Sequence, residues 1–177
     1  SFSSCLASIA LAWCHTGCQM KTNSSIIQVS NEVRDALASN RAVVALESTI
    51  FSHLGLPSPA NAQALTNCIA AIREAGAVPA ITAVIDGVAR VGINESEHER
   101  ILGPAKKVGE REIALAIAQR WSVGATTVSA SLLLASRAGI GVFATGGIGG
   151  VHRDSHLHGD ISADLGALAA HPVVTVC

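Results

Sequence analysis

The chain has 177 residues, of which 49% are hydrophobic and 14% charged, with a formal net charge of −1. That is enough apolar material for one domain with a sizeable core, and it argues against disorder. With no Lys/Arg run and no Tyr, a nucleic-acid surface has no support, and the longest apolar stretches fall short of the ~20 residues of a membrane span, so a soluble protein is expected.

The first nineteen residues read as a leader or non-native extension. Met20, the only methionine, is followed by polar Lys-Thr-Asn-Ser-Ser and resembles a start; a removed targeting segment is the alternative. Residues 20–177 then form the domain. Five cysteines without a C-x-x-C pair favour a reducing, cytoplasmic setting and structural thiols over a disulfide framework. Cys5, Cys14 and Cys18 fall in the leader, while Cys68 and Cys177 are expected to be buried, one in a helix and one in a strand.

Taken in chain order, residues 27–39 predict a short helix with a Ser30 cap. The apolar run 42–46 predicts a strand buried on both faces and ending at Glu47. Ser58 and Pro59 open a helix over 60–75, closed by Gly76. Residues 78–85 and 88–91 flank Asp86-Gly87 and predict a hairpin. Asn94 to Glu97 resembles a capping box opening a helix to about Leu102, and a further helix is expected from Glu110 to Trp121. A short strand or turn at 124–128 precedes a helix over 129–138, which Gly139 terminates. A strand at 140–144, a helix over 163–169 capped by Ser162 and a buried strand at 173–177 complete the pattern. Strands alternating with helices argue for an α/β fold: a layered sheet of mostly buried strands flanked by helices, in a single domain. The apolar strand at the end of the sequence suggests that the domain is incomplete there.

Polar chemistry is concentrated between Phe143 and Asp164. Thr145-Gly-Gly-Ile-Gly-Gly150 follows a strand directly, so its backbone N–H groups can approach a phosphate without side-chain obstruction. Arg153, Asp160, Ser162 and Asp164 add groups able to orient an anion, hold a hard metal ion or move a proton. Glu47, at a strand's carboxyl end, lies where open α/β sheets bind ligands. Each has a plainer reading. Glu47 alone could be a surface or cap carboxylate, Lys107 a solvated lysine, and Asp160 and Asp164 partners of a helix dipole. His152, His156 and His158 with Asp160 suggest a metal site, although no helical H-x-x-x-H pair with a glutamate is present. His53, His98 and His171 read as loop or turn residues.

Several motifs occur together: Ala45-Leu-Glu-Ser-Thr-Ile50, Gly76-Ala-Val-Pro79, Gly124-Ala-Thr-Thr-Val128, Ala144-Thr-Gly-Gly-Ile-Gly-Gly-Val-His-Arg153 and Asp160-Ile-Ser-Ala-Asp-Leu165. In this order and spacing they resemble the pseudouridine-5′-phosphate glycosidase (indigoidine synthase A-like) family over residues 27–177. The resemblance implies reversible cleavage of the C–C glycosidic bond of pseudouridine 5′-phosphate to uracil and ribose 5-phosphate, with Mn²⁺ as cofactor in a homotrimer. Glu47 would be the general acid, Asp160 the metal ligand, and Lys107, Val128, Ser162, Ala163 and Asp164 substrate contacts. Thr145, His152 and Arg153 would form the phosphate and substrate rim. The nucleophilic lysine of the family follows the strand at 173–177, past Cys177. Departures are the inserted Leu54, the Ser155-His-Leu-His-Gly159 segment and an insecure register at Lys107, where Lys106 competes. Two rival readings remain: a catalytically dead phosphate-binding paralogue and a His/Asp metallohydrolase.

Overall fold

A computed structural model describes residues 26–177, so the expectations for the leader and its three cysteines lie outside the described residues. In order the elements are β1 (Ile27–Val29), α1 (Asn31–Ala38), β2 (Val43–Leu46), a 3-10 turn (Thr49–Phe51), α2 (Ala60–Glu74) and β3 (Val78–Ile85). β4 (Val88–Val91), α3 (Glu95–Leu102), β5 (Lys106–Val108), a second 3-10 turn (Glu110–Glu112), α4 (Ile113–Ala118) and β6 (Val123–Thr126) follow. The last are α5 (Val128–Ala138), β7 (Val142–Ala144), α6 (Ser155–His158), α7 (Ala163–Ala170) and β8 (Val174–Val176).

The eight strands form one mixed sheet, ordered β1-β4-β3-β2-β7-β8, with β6 pairing β3 and β5 pairing β6. β3 is the long member and is divided between neighbours. Its first half runs parallel to β2, with Leu46 opposite Ile81, and its second half is antiparallel to both β4 and β6. The β3–β4 turn is the expected tight hairpin, in which Asp86 (φ 52°) and Gly87 (φ 75°) both take positive φ, as a type I′ turn requires.

Two apolar clusters cover the two faces, as the two-residue period of a strand demands. Val43, Ala45, Val78, Ala80, Val84 and Phe143 join Leu132 and Leu134 of α5, Val33 of α1 and Ala167 of α7. The alternate residues Val44, Leu46, Ile81, Ala83, Ile85 and Ala144 join Leu65 and Ile72 of α2 and Ile101 of α3. Burying each of the larger side chains contributes about 1.5–3 kcal/mol, so the three-layer α/β arrangement follows from the apolar runs.

Four expectations are corrected. Ile27–Val29 is a strand because β4 offers it a parallel ladder; the helix begins only after Ser30, whose hydroxyl accepts from Val33 N at 3.3 Å. Residues 106–108, assigned to no element from the sequence, pair with β6. β8 pairs only with β7, so Val174 is 38% exposed, and of the two cysteines expected to be buried Cys177 is exposed and Cys68 half-buried. His98 lies in α3, where burial pushes its imidazole below the usual range. No helix among the described residues is long and apolar enough to cross a membrane.

Candidate functional site

Strand register assembles the centre of the site. β2 and β7 pair in parallel with Leu46 opposite Ala144, so the next residues, Glu47 and Thr145, emerge side by side at the carboxyl ends. Both are buried, at 8% and 4% exposure. The Thr145 hydroxyl donates to Glu47 Oε1 and is also 3.0 Å from Gly147 O, while Gly147 N donates to it at 3.2 Å. Burial pushes the Glu47 carboxyl above its ordinary range; Thr145's hydrogen bond pulls it down, Asp164's charge adds to the rise and Lys107 opposes it. A carboxyl whose protonated form is favoured by burial is better suited to proton donation than an exposed one.

Below Glu47 lies a buried set of hydroxyls. Thr82, Thr126, Ser48 and Ser131 are all fully buried. Thr82 Oγ1 lies 2.8 Å from both Thr126 Oγ1 and Ser131 Oγ, and Thr126 Oγ1 donates to Thr82 O at 2.7 Å. Ser48 Oγ accepts from Thr126 N at 2.9 Å. β2 and β6 converge here from opposite directions on β3, and their diverging ends leave backbone groups that only short hydroxyl side chains can satisfy in so little space.

Asp164 ties the glycine loop to the helix layer. Its Oδ1 accepts from Ser129 N at 3.0 Å, within the first turn of α5, and its Oδ2 accepts from Gly149 N at 2.9 Å. A side chain at position 149 would meet Ser162 Cβ at 2.7 Å and Asp164 Oδ2 at 3.0 Å, so this close approach requires glycine. Ser162 caps α7 by accepting from Asp164 N at 3.2 Å, and its own N–H donates to Gly150 O at 3.0 Å. The negative charge of Asp164 therefore occupies the positive end of α5, where a free anion could otherwise sit.

The remaining candidates are distributed around this centre. Val128 is the first residue of α5 and is buried. Lys107 is exposed on β5 and acts on Glu47 through its charge, whereas Lys106 is committed to the Trp121 ring, 4.5 Å from its centroid. Asp160 and His152 face one another at 3.6 Å, both well exposed, and Arg153 and Ala163 are exposed as well. Among the described residues no group of three His, Cys, Asp or Glu side chains is placed to hold a metal. His156 and His158 thus form no such group with His152 and Asp160. His171, the C-cap of α7, lies 3.1 Å from Glu110. A cavity of about 580 Å³ adjoins Ser162 and Ala163 and is also lined by Glu110 and Arg111; a smaller one, about 380 Å³, lies at Arg34 and Arg90 and contains none of the candidates.

Sequence reasoning missed the Thr145 to Glu47 contact, the buried hydroxyls and Asp164's hold on α5. The first had a visible signal, since Glu47 and Thr145 each end an apolar run and are the first polar residue after it. The other two arise between distant segments and had none.

Residues 32–177 match the model of the indigoidine synthase A-like protein family. Curated relatives named pseudouridine-5′-phosphate glycosidase include those of Streptomyces griseus (51% identical, 88% of this chain, 48% of the relative) and Escherichia coli (47% identical, 90% and 51%). The Arabidopsis thaliana relative is 48% identical over 86% of this chain and 46% of its own length. The chain therefore spans about half the length of the curated relatives it matches. Among solved structures, the prealnumycin C-glycosynthase AlnA in complex with ribulose 5-phosphate superposes with a TM-score of 0.75 at 39% identity, over 86% of this chain and 49% of that one. An indigoidine synthase A-like protein from Thermotoga maritima gives 0.70 at 33% identity, over the same shares.

Proposed function

Because the chain belongs to the indigoidine synthase A-like family, we propose that it carries the acid half of a pseudouridine-5′-phosphate glycosidase, which reversibly converts pseudouridine 5′-phosphate and water into uracil and ribose 5-phosphate. The observation that carries this reading is Glu47: a buried carboxyl with a raised protonation range, at a strand's carboxyl end, bonded to Thr145 and within the field of Lys107 and Asp164.

A C–C glycosidic bond has no heteroatom leaving group, so the sugar must open first. An amine adds to the anomeric carbon, the bond from that carbon to the ring oxygen breaks with its electron pair on oxygen, and Glu47 supplies the proton. The nitrogen gives up the proton that addition left on it, and its lone pair then forms the iminium as the C–C bond breaks. Its electrons remain on the uracil carbon, which takes a proton, and water releases ribose 5-phosphate. The family resemblance assigns the amine to a lysine on the continuation of β8.

Lys107 and Arg153 supply positive charge for the 5′-phosphate, with unblocked loop amides such as that of Gly150, since Gly149 N is already held by Asp164. Val128, Ser162 and Ala163 fit the rim of the site, the last two lining the 580 Å³ cavity. Asp160, exposed and acidic, would hold a Mn²⁺ through a carboxylate oxygen of the hard type that the ion prefers, with His152 beside it; the ion would supply charge neutralisation at the substrate's oxygens. The homotrimer is what the family resemblance implies; Val151, Leu157 and Ile161, 63%, 69% and 56% exposed around Asp160, are apolar side chains available to a contact between copies of the chain.

The test incubates the protein, with its reading frame continued past Cys177, with Mn²⁺, uracil and ribose 5-phosphate, and looks for pseudouridine 5′-phosphate. Product is expected from the wild type and a loss of at least about 10²-fold from Glu47→Gln. Absence of product from a folded, Mn²⁺-supplemented wild type carrying the downstream lysine would overturn the assignment and favour a phosphate-binding protein.

A further inference from the structure

The Thr145 hydroxyl has one proton and two lone pairs, yet three groups lie against it. Gly147 N donates to it at 3.2 Å and takes one lone pair. Gly147 O, at 3.0 Å, and Glu47 Oε1 are both acceptors within reach of the single proton. The backbone beneath is fixed, because Thr145 N donates to Val176 O at 3.0 Å and the β2–β7 ladder holds position 145 beside position 47. Only the direction of the hydrogen bonds is left to vary.

While Glu47 is ionised, the proton goes to the carboxylate, since a charge-assisted bond is roughly twice as strong as a neutral one. Gly147 O then lacks that donor. Once Glu47 carries a proton, its own O–H uses the second lone pair of Thr145, and the threonine proton turns to Gly147 O. The two states therefore differ in whether Gly147 O has the Thr145 donor, and neither requires a strand to move. The loop can respond, because a Cβ added at Gly147 would meet nothing within 4 Å.

We infer that Thr145 is a positioning residue whose hydroxyl reverses between Glu47 and the Gly147 carbonyl, so that the glycine loop registers whether the acid is loaded. This deepens the glycosidase reading and rests on it for its meaning in turnover, but the wiring itself is independent of substrate. During turnover the loop would tighten on Gly147 when Glu47 is ready to donate and relax once the proton has left. The other charged groups facing Glu47 are Asp164 from α7 and Lys107 from β5, and they displace its titration without changing which hydroxyl contacts it.

The experiment is a pH titration by NMR on the full chain, following the Glu47 side-chain carboxyl carbon and the backbone amides of Gly147 and Ile148. In the wild type, both amides are expected to shift with the same midpoint as the Glu47 carboxyl. Thr145→Val should raise that midpoint by roughly 1 pH unit, because the ionised form loses its donor, and should uncouple the amides; Thr145→Ser should restore both. Amides that ignore the Glu47 midpoint in the wild type, or an unchanged Glu47 midpoint in Thr145→Val, would overturn the relay. If Thr145→Val does not fold, the wild-type coupling and the serine variant still decide it. Failure of the glycosidase reading would appear separately, as turnover that survives Glu47→Gln.

Discussion

Replacing Asp164 with Asn preserves shape and removes both the charge and one of two acceptors. Each Asp164 oxygen takes a different backbone N–H, Ser129 N at 3.0 Å and Gly149 N at 2.9 Å. The amide of Asn can satisfy only one of them, and its NH₂ then faces the other N–H. A hydrogen bond to a charged group contributes about 1.5–3 kcal/mol, and an anion at a helix N-terminus another 0.3–1 kcal/mol or so. Since Asp164 is only partly buried, the lower end applies, and a loss of about 2 kcal/mol is expected. Urea denaturation would register it as a lower midpoint at unchanged slope. Faster amide exchange should appear at Ser129 or Gly149, whichever loses its acceptor. The Glu47 carboxyl should also titrate lower, because the like charge that helps raise it is gone. A destabilisation under about 0.5 kcal/mol with unchanged exchange at both amides would refute the account of Asp164 as the tie between loop and helix.

Gly124→Ala tests the packing of the hairpin half of the sheet. A Cβ there would lie 2.7 Å from Val108 Cγ2 and 3.1 Å from Val84 Cβ, so a loss of about 1–3 kcal/mol is expected by chemical denaturation, and wild-type stability would contradict the close fit. Glu47→Gln tests the buried acid through stability alone. The folded-state carboxyl is raised by burial, so its contribution is fully present below the unfolded value and is lost as pH rises through the folded one. The neutral glutamine escapes that loss, so the variant should be more stable than wild type at about pH 8 and match it near pH 4. A gap that stays constant with pH would show that Glu47 titrates normally.

The apolar runs made the sheet and most helices legible, because runs such as Val43 to Leu46 and the stripe of 60–74 have no other way to bury their surface. The capping boxes and the Asp86-Gly87 turn set boundaries by local chemistry alone. β1 and β5 were not legible: each has three residues, too few for a period, and exists only because a neighbouring edge accepts it. The site divides the same way. Glu47 was found from its place at the end of an apolar run, but its protonation depends on Thr145, Asp164 and Lys107, which are 98, 117 and 60 positions away in the chain. Asp164 was read as a helix-dipole or substrate carboxylate, and it stabilises a helix dipole other than its own because the fold brings α5 to it.

The divided pairing of β3 has a consequence for how firmly the site is held. A strand with one neighbour can slip by two residues and keep its inward face inward. β3 cannot, because β2 grips residues 78–81 in one sense and β6 grips 83–85 in the other, while Ser48 and Thr126 join the two gripping strands to each other. Any slip breaks both ladders together, so alignment is all or nothing. Glu47 therefore has one available position rather than a family of nearby ones, and substitutions in the surrounding loops should change what the acid meets well before they change where it stands.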